Sequence, residues 1–439
     1  MSKTKLMSWG RYPQYPQSSQ SVAWLSDLSP AINQLTQTQG STLAFGNGRS
    51  YGDSCLAASD HVLHTTFLNR FISADWQTGI IRAESGITLQ EILQVAIPNG
   101  WFLPVTPGTL FVTLGGALAN DVHGKNHHKR GTFGCHVRKF NLVRSDQAEI
   151  ICSPNENPEL FAATIGGLGL TGIIAWVELQ LMPIQSSEMD AVNIRFNSLS
   201  DFFALSQELD EQYEYTVAWI DCLAKESNLG RGVFSAANHA KSGTLDFTAP
   251  KKITVPVAPP ISILNKYTLK IFNHLYYHLH KIGQQKKTLN YDGFFYPLDG
   301  ILQWNLLYGR KGFQQYQCVI PKVCAESVMR ELLNVIAKSG CGSFLAVMKQ
   351  CGAQPSPGLL SFPMQGVSLA LDFPQTSSLE KLFSQLDKIT CESGGRLYPA
   401  KDAHMKGEDF RQFYPHWVQV EKLRDPALYS RFWQRVVEQ

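Results

Sequence analysis

No stretch of this chain approaches the roughly 18 consecutive apolar residues that a membrane-spanning helix needs, so a helical span is not expected. The opening residues, Met1 to Gln20, carry two lysines and no apolar run of the kind an export signal has, which leads to the expectation of a cytoplasmic protein. Charge of one sign is also scarce. A formal net charge of +3 over 439 residues gives no reason to expect nucleic acid as the main partner. The nine cysteines (Cys55, Cys135, Cys152, Cys222, Cys318, Cys324, Cys341, Cys351 and Cys391) show neither CxxC nor Cys/His ligand spacing, and their number is odd. They read as reduced thiols, so neither a disulfide framework nor a metal centre is expected. No internal repeat is evident.

What is present fits a globular enzyme. Apolar residues make up 44% and charged residues 17%, with glycine and proline dispersed, and the length suggests two domains that each bury a core. In residues 1–185, glycine turns separate short apolar runs that read as strands: Ser41–Phe45, Gly79–Glu84, Lys139–Arg144, Glu149–Cys152 and Gly172–Leu181. Helices are expected at Thr88–Ala96 and Asn157–Thr164. From about Ser186 the elements lengthen: strands at 191–196, 215–221, 343–348 and 368–373, and helices at 199–212, 321–339 and 377–394. That order suggests an α+β fold whose antiparallel sheet is covered by helices on one face. Within Ile261–Ile282, the residues Leu264, Tyr267, Ile271, Leu275, Leu279 and Ile282 recur at helical spacing, with Lys266, Lys270 and Lys281 largely off the stripe. Two readings stand: a helix lying on its own domain, or an interfacial helix in peripheral contact with anionic lipid.

Three glycine-rich runs carry the chemistry. Gly46-Asn47-Gly48-Arg49-Ser50-Tyr51-Gly52-Asp53 can turn successive N–H groups into one concavity, a nest suited to a diphosphate. Its GxGxxxG spacing, with no long helix after it, disfavours a Rossmann turn. The second run begins at Thr106-Pro107-Gly108-Thr109. It continues through Thr113-Leu114-Gly115-Gly116 to Asn120-Asp121-Val122-His123-Gly124-Lys125-Asn126-His127-His128; its small residues let a flat ring or phosphate chain reach the backbone, and polar groups come directly after. The third, Ile165 to Ile174, satisfies GxGxxG at Gly167, Gly169 and Gly172. A helix precedes it and a strand follows, the reverse of the Rossmann order, so it reads as a backbone contact to a cofactor.

At these residues the sequence resembles the vanillyl-alcohol oxidase superfamily of FAD enzymes and, within it, the decaprenylphosphoryl-ribose oxidase family. The resemblance also covers Trp9-Gly10-Arg11, Phe294 to Asp299, Tyr316-Gln317, Ser361-Phe362-Pro363 and Gly395 to Asp402, which is essentially the whole chain. It implies a two-part PCMH-type FAD-binding domain formed by 1–185 with 395–439 returning to it, and a substrate domain at 186–394. The reaction it implies is oxidation of the ring 2-hydroxyl of a polyprenyl-phosphate-linked ribofuranose to a ketone. A separate NAD(P)H-dependent ketoreductase would then complete a 2-epimerisation. By this resemblance Lys401 is the catalytic lysine, Tyr398 a cofactor-contacting tyrosine and His123 a flavin-contacting histidine, with FAD expected to be held non-covalently. Residues 46–53, Gly108, 113–116, 120–124, Ile174 and Tyr398 would bind the cofactor. Gln315, Gln317, Lys349 and Ser368 would line the substrate pocket. Ser368 stands where the family commonly has Asn and Ala370 where it can have Cys, departures that bear on the identity of the sugar. An oxidase of a soluble alditol or aldonolactone, and a non-catalytic flavin-binding docking subunit, are the alternatives.

Overall fold

A computed structural model describes residues 5–147, 149–248, 252–281 and 283–438. Its centre is an eight-stranded sheet in the order Gln284–Asn290, Glu188–Phe196, Gly232–His239, Tyr215–Ile220, Ala346–Cys351, Gly366–Pro374, Phe313–Pro321, Arg396–Leu397. Every neighbouring pair is antiparallel. Strand side chains alternate between faces, and this sheet uses the alternation to separate two environments. Tyr316, Cys318, Ile320, Leu369, Leu371 and Phe373 point to one face, where the helices Leu199–Leu209, Ala325–Ser339 and Leu379–Glu392 bury them in a common core. Each large aliphatic side chain buried there contributes about 1.5–3 kcal/mol. Gln315, Gln317, Ser368, Ala370 and Lys349 point to the other face and line a cavity; Asp372 shares that face but is buried behind the lining.

The N-terminal half supplies the facing wall. A five-stranded antiparallel sheet (Phe71–Asp75, Ile80–Glu84, Ile173–Gln180, Val137–Val143, Ile150–Cys152) stands beside a three-stranded parallel sheet (Ser18–Ser21, His61–His64, Ala44–Phe45). Thr88 caps the helix Leu89–Ala96 through a reciprocal bond pair with Glu91, which fixes that helix start. The architecture is α+β throughout.

Most sequence expectations meet an observed element, and two differ. Pro321 ends the strand Phe313–Pro321 instead of starting a helix, and the helix begins at Ala325 after one tighter turn at Lys322–Cys324. A strand expected at 343–348 lies at Ala346–Cys351. The small-residue run after Thr113 is itself a short helix, Leu114–Ala119, started by the Thr113 hydroxyl accepting from the Gly116 N–H. The stripe at 261–282 does form a helix, Lys266–Leu279, capped by Asn265. It rests on its own domain through Leu269, Asn273 and Tyr277, whereas Tyr267, Ile271, Leu275 and Leu279 are exposed. Ile282 lies outside the described residues.

The chain's last segment closes the fold. Arg396–Leu397 pairs with Cys318–Val319 at the sheet edge, and residues 425–431 then run back beside Thr42 and Ala57. Arg435, on the helix Arg431–Val437, donates to Asp53 Oδ1 at 2.8 Å and Asp402 Oδ2 at 2.8 Å. Both carboxylates are buried. Burial alone would push the Asp402 carboxyl up; Arg435 and His404 more than reverse this and hold it below its ordinary range. Arg435→Ala leaves two buried carboxylates without their cation, which costs about 3–5 kcal/mol. Urea denaturation should show that loss at neutral pH. A carboxyl with a depressed folded-state value stabilises above its unfolded value and loses the contribution as pH falls through the folded one, so the gap between variant and wild type should narrow in acid.

Candidate active site

Between the eight-stranded sheet and the glycine-rich loops lies a cavity of about 580 Å³. Its loop side begins at residues 46–51. Gly48 has φ +60°, a conformation that favours glycine, and the N–H groups of Asn47, Gly48, Arg49 and Ser50 reach no acceptor among the described residues. Four such donors in succession suit an anion. Arg49 is stacked over the Trp9 ring at 4.1 Å, and its buried Nε has no partner among the described residues. Gly52 owes its place to close approach: a Cβ there would come within 1.7 Å of the Asp402 carbonyl oxygen. Beside it the Tyr51 N–H donates to the Ala400 carbonyl at 3.0 Å. The loop of the first glycine run is therefore docked on the turn that carries Lys401.

Lys401 is held over the Tyr51 ring, with Nζ 3.5 Å from the centroid. Burial pulls its pKa down while Asp372 pushes it up. Asp372, on the adjacent sheet face, is driven up by burial and held back by Gln315 and Lys401. Gln315 is its cross-strand partner and donates to Oδ1 at 2.5 Å, which leaves Oδ2 without a partner among the described residues. The two groups form a buried acid–base pair, with Lys401 lining the cavity and Asp372 behind the lining.

His123 packs between Tyr398 and Phe362, at ring separations of 5.2 and 5.3 Å. Burial, then Lys349, His127 and Lys401, push its pKa well below the ordinary value, so the ring is neutral. Gln317 Nε2 lies 3.0 Å from His123 Nε2; with the amide donating, the ring proton sits on Nδ1, which has no partner among the described residues. Tyr398 donates its hydroxyl to the Asn120 carbonyl at 2.9 Å, and burial raises its pKa, so it stays protonated. On the next rung Ser368 faces Lys349, whose Nζ donates to the Gly124 carbonyl at 2.6 Å. Lys125 donates to the Phe294 carbonyl. Burial lowers Lys349 to about 8, and burial with Lys349 lowers Lys125 to about 7. Neither lysine has a carboxylate partner among the described residues.

Of the residues singled out from sequence, Gly46 to Tyr51, Gly108, Thr113, Gly115, Gly116, Asn120, Val122, His123, Gly124, Ile174, Gln315, Gln317, Lys349, Ser368, Tyr398 and Lys401 all line this cavity. Gly52, Asp53, Leu114 and Asp121 stand behind its wall. Leu114 is core. Asp53 is bound by Arg435, and Asp121 accepts from the Gly134 N–H and from Ser356 and Ser361. Asp372 and Lys125 were not singled out. The period-two alternation through Ser368 and Ala370 is the signal for Asp372, and Lys125 directly follows Gly124 among the polar groups that end the second glycine run.

The site suits a flavin dinucleotide. The unpaired N–H groups fit its diphosphate, a side chain at Gly108 or Gly169 would meet open space, and His123 Nδ1 and Arg49 Nε wait for partners. Comparison with known proteins agrees: residues 22–153 match the family model described as an FAD binding domain. Decaprenylphosphoryl-beta-D-ribose oxidase of Mycolicibacterium smegmatis is 35% identical over 96% of this chain and 94% of its own length. An uncharacterised protein of Streptomyces coelicolor is 31% identical over 78% of this chain and 96% of its own. Cytokinin dehydrogenase 8 of Oryza sativa subsp. indica is 29% identical over 46% of this chain and 40% of its own.

The docking of Gly52 on Asp402 can be tested directly. In Gly52→Ala the new methyl must displace the 400–402 turn, and repacking of that kind costs about 1–3 kcal/mol. Titration of the flavin-free protein should show FAD affinity weakened about tenfold. Unchanged affinity would show that loop and turn move independently.

Proposed function

The chain belongs to the decaprenylphosphoryl-β-D-ribose oxidase family and is an FAD-dependent oxidoreductase acting on CH–OH groups; from that premise we propose that it oxidises the ring 2-hydroxyl of a polyprenyl-phosphate-linked ribofuranose to the 2-ketone. In this reading residues 1–185 and 395–439 hold the cofactor, without a covalent bond, and 186–394 present the sugar. The product is returned as the arabino epimer by a separate NAD(P)H-dependent ketoreductase. Peripheral contact with a bilayer accompanies such a lipid carrier. The observation that carries the reading is the set of three lysines, Lys401, Lys349 and Lys125, brought to one cavity together with polar strand residues.

Each group has a task. When bound, FAD supplies the hydride acceptor for the carbinol C–H. Lys401 places positive charge where anionic character accumulates. The hydroxyl proton can pass to the Lys401 amine in its neutral form, which leaves that amine charged beside Asp372. Gln317 orients His123, and Tyr398 fixes the Asn120 backbone, so both hold the cofactor wall in place. Lys349 and Lys125, which have no carboxylate partner among the described residues, meet the phosphate that joins sugar to lipid.

Anaerobic mixing of the flavin-loaded enzyme with lipid-linked ribose should bleach the visible flavin absorbance. Bleaching only by soluble alditols or aldonolactones would redirect the substrate, and no bleaching by any sugar would leave a docking subunit. Acid precipitation should leave the yellow colour in the supernatant. Lys401→Ala and Asp372→Asn should each slow single-turnover bleaching by about 100-fold or more.

The phosphate lysines carry a pH dependence of definite sign. Lysine is charged below its pKa, so as pH rises through about 7 to 8 the free enzyme loses the cations that attract the phosphate. KM should rise over that window. In Lys349→Met, KM should be higher at neutral pH and its rise with pH shallower.

A further inference from the structure

The helix Lys266–Leu279 touches the cavity through one side chain and faces solvent with several others. Its inner side brings Tyr276 against Trp219, rings 4.6 Å apart, and both line the cavity, as does His280 just past the helix end. Its outer side carries Tyr267, Ile271, Leu275 and Leu279 at 77%, 61%, 57% and 78% exposure. These four follow one another at i, i+4 steps and so form a continuous apolar ridge. The preceding segment extends the ridge. Ile253, paired with Ile301 in a short parallel ladder, and Ile261, at 81%, are exposed as well. Among the described residues, ten of the seventeen exposed large apolar side chains fall between Ile253 and Ile301, so the surface is strongly concentrated in one short stretch.

Charge is as lopsided as hydrophobicity. From Phe247 to Tyr291 the chain has no aspartate or glutamate, yet it has seven lysines: Lys251, Lys252, Lys266, Lys270, Lys281, Lys286 and Lys287. At the helical period, Lys266 and Lys270 fall on one flank of the apolar ridge, and Lys281 follows just past the helix end. Apolar side chains rimmed by lysines are the pattern of a helix lying in a lipid interface, with its ridge among acyl chains and its cations on anionic headgroups. A second copy of the chain is a poor occupant, because a two-fold contact would set one lysine field against its equal.

We infer that the outer face of Lys266–Leu279, with Ile253 and Ile261, docks the protein on an anionic phospholipid bilayer and places the cavity mouth at the membrane surface. Ile301, Leu302 and Lys287 lie on both the mouth and the docking segment. A lipid-linked sugar can thus enter while its polyprenyl chain stays in lipid. The inference rests on the reading that the substrate is lipid-linked, and it is read without that substrate.

The test is co-sedimentation of the flavin-loaded full chain with vesicles of phosphatidylcholine alone and of phosphatidylcholine mixed with phosphatidylglycerol. The expected result is sedimentation with the mixed vesicles only, weakened by salt. Ile271→Glu/Leu275→Glu should reduce vesicle affinity about tenfold or more, and Lys266→Glu/Lys270→Glu about as much. Both variants alter exposed positions, so flavin content and oxidation of a water-soluble ribofuranosyl phosphate should match wild type. Failure of the wild type to sediment, equal sedimentation of the Glu variants, or a dimer in solution that the Glu variants abolish would each overturn the docking face. Bleaching by detergent-dispersed lipid-linked ribose without vesicle binding removes this inference alone. Vesicle binding without bleaching removes the substrate reading instead.

Discussion

One guanidinium joins three parts of the chain that meet nowhere else in sequence. Arg435 holds Asp53, which ends the first glycine-rich loop, and Asp402, which follows Lys401. The backbone seals the same seam: Gly52 lies against the Asp402 carbonyl, and Tyr51 bonds to Ala400. Tyr51 in turn lies beneath Lys401. The loop that receives the cofactor and the turn that delivers the cation therefore share one rigid unit. A buried ion triad of this kind adds little net stability by itself, since desolvation opposes the attraction. Its effect is to fix where these parts sit.

The eight-stranded sheet solves a second problem, the placing of polar groups in a dry cavity. Antiparallel pairing sets Gln315 opposite Asp372 and Ser368 opposite Lys349, so each inward rung presents polar groups at a fixed spacing. Buried polar groups are costly unless satisfied. Among the described residues some keep an unused atom, His123 Nδ1 and Arg49 Nε among them, and unused atoms beside a cavity are what a ligand can satisfy.

Much of this was legible in the sequence, and the rest was hidden for identifiable reasons. Glycine runs announce themselves, and Lys401 and Tyr398 stood out through the motif around them. Why Gly52 must be glycine did not, because its constraint is a carbonyl some 350 residues away along the chain. Pro321 reads equally well as a helix start and a strand end. The strand before it, Phe313–Pro321, alternates only from Gln315 to Cys318 and runs apolar through Val319 and Ile320, since it is buried on both faces. For the helix at 266–279, periodicity located the apolar ridge without saying which way it faced. The domain is gripped instead by Leu269, Asn273 and Tyr277, and only the tertiary structure shows that the more regular stripe is left outside.

The two-sided sheet has an evolutionary consequence. Because helix packing draws on one set of alternate residues and the cavity on the other, exchanges at positions such as Ser368 or Ala370 leave the helix-packed set untouched. Selection can therefore retune which sugar is accepted one rung at a time without eroding the scaffold. A single-residue insertion in Gly366–Pro374 has no such freedom, since it would turn Asp372 into the oily layer and a leucine toward the sugar.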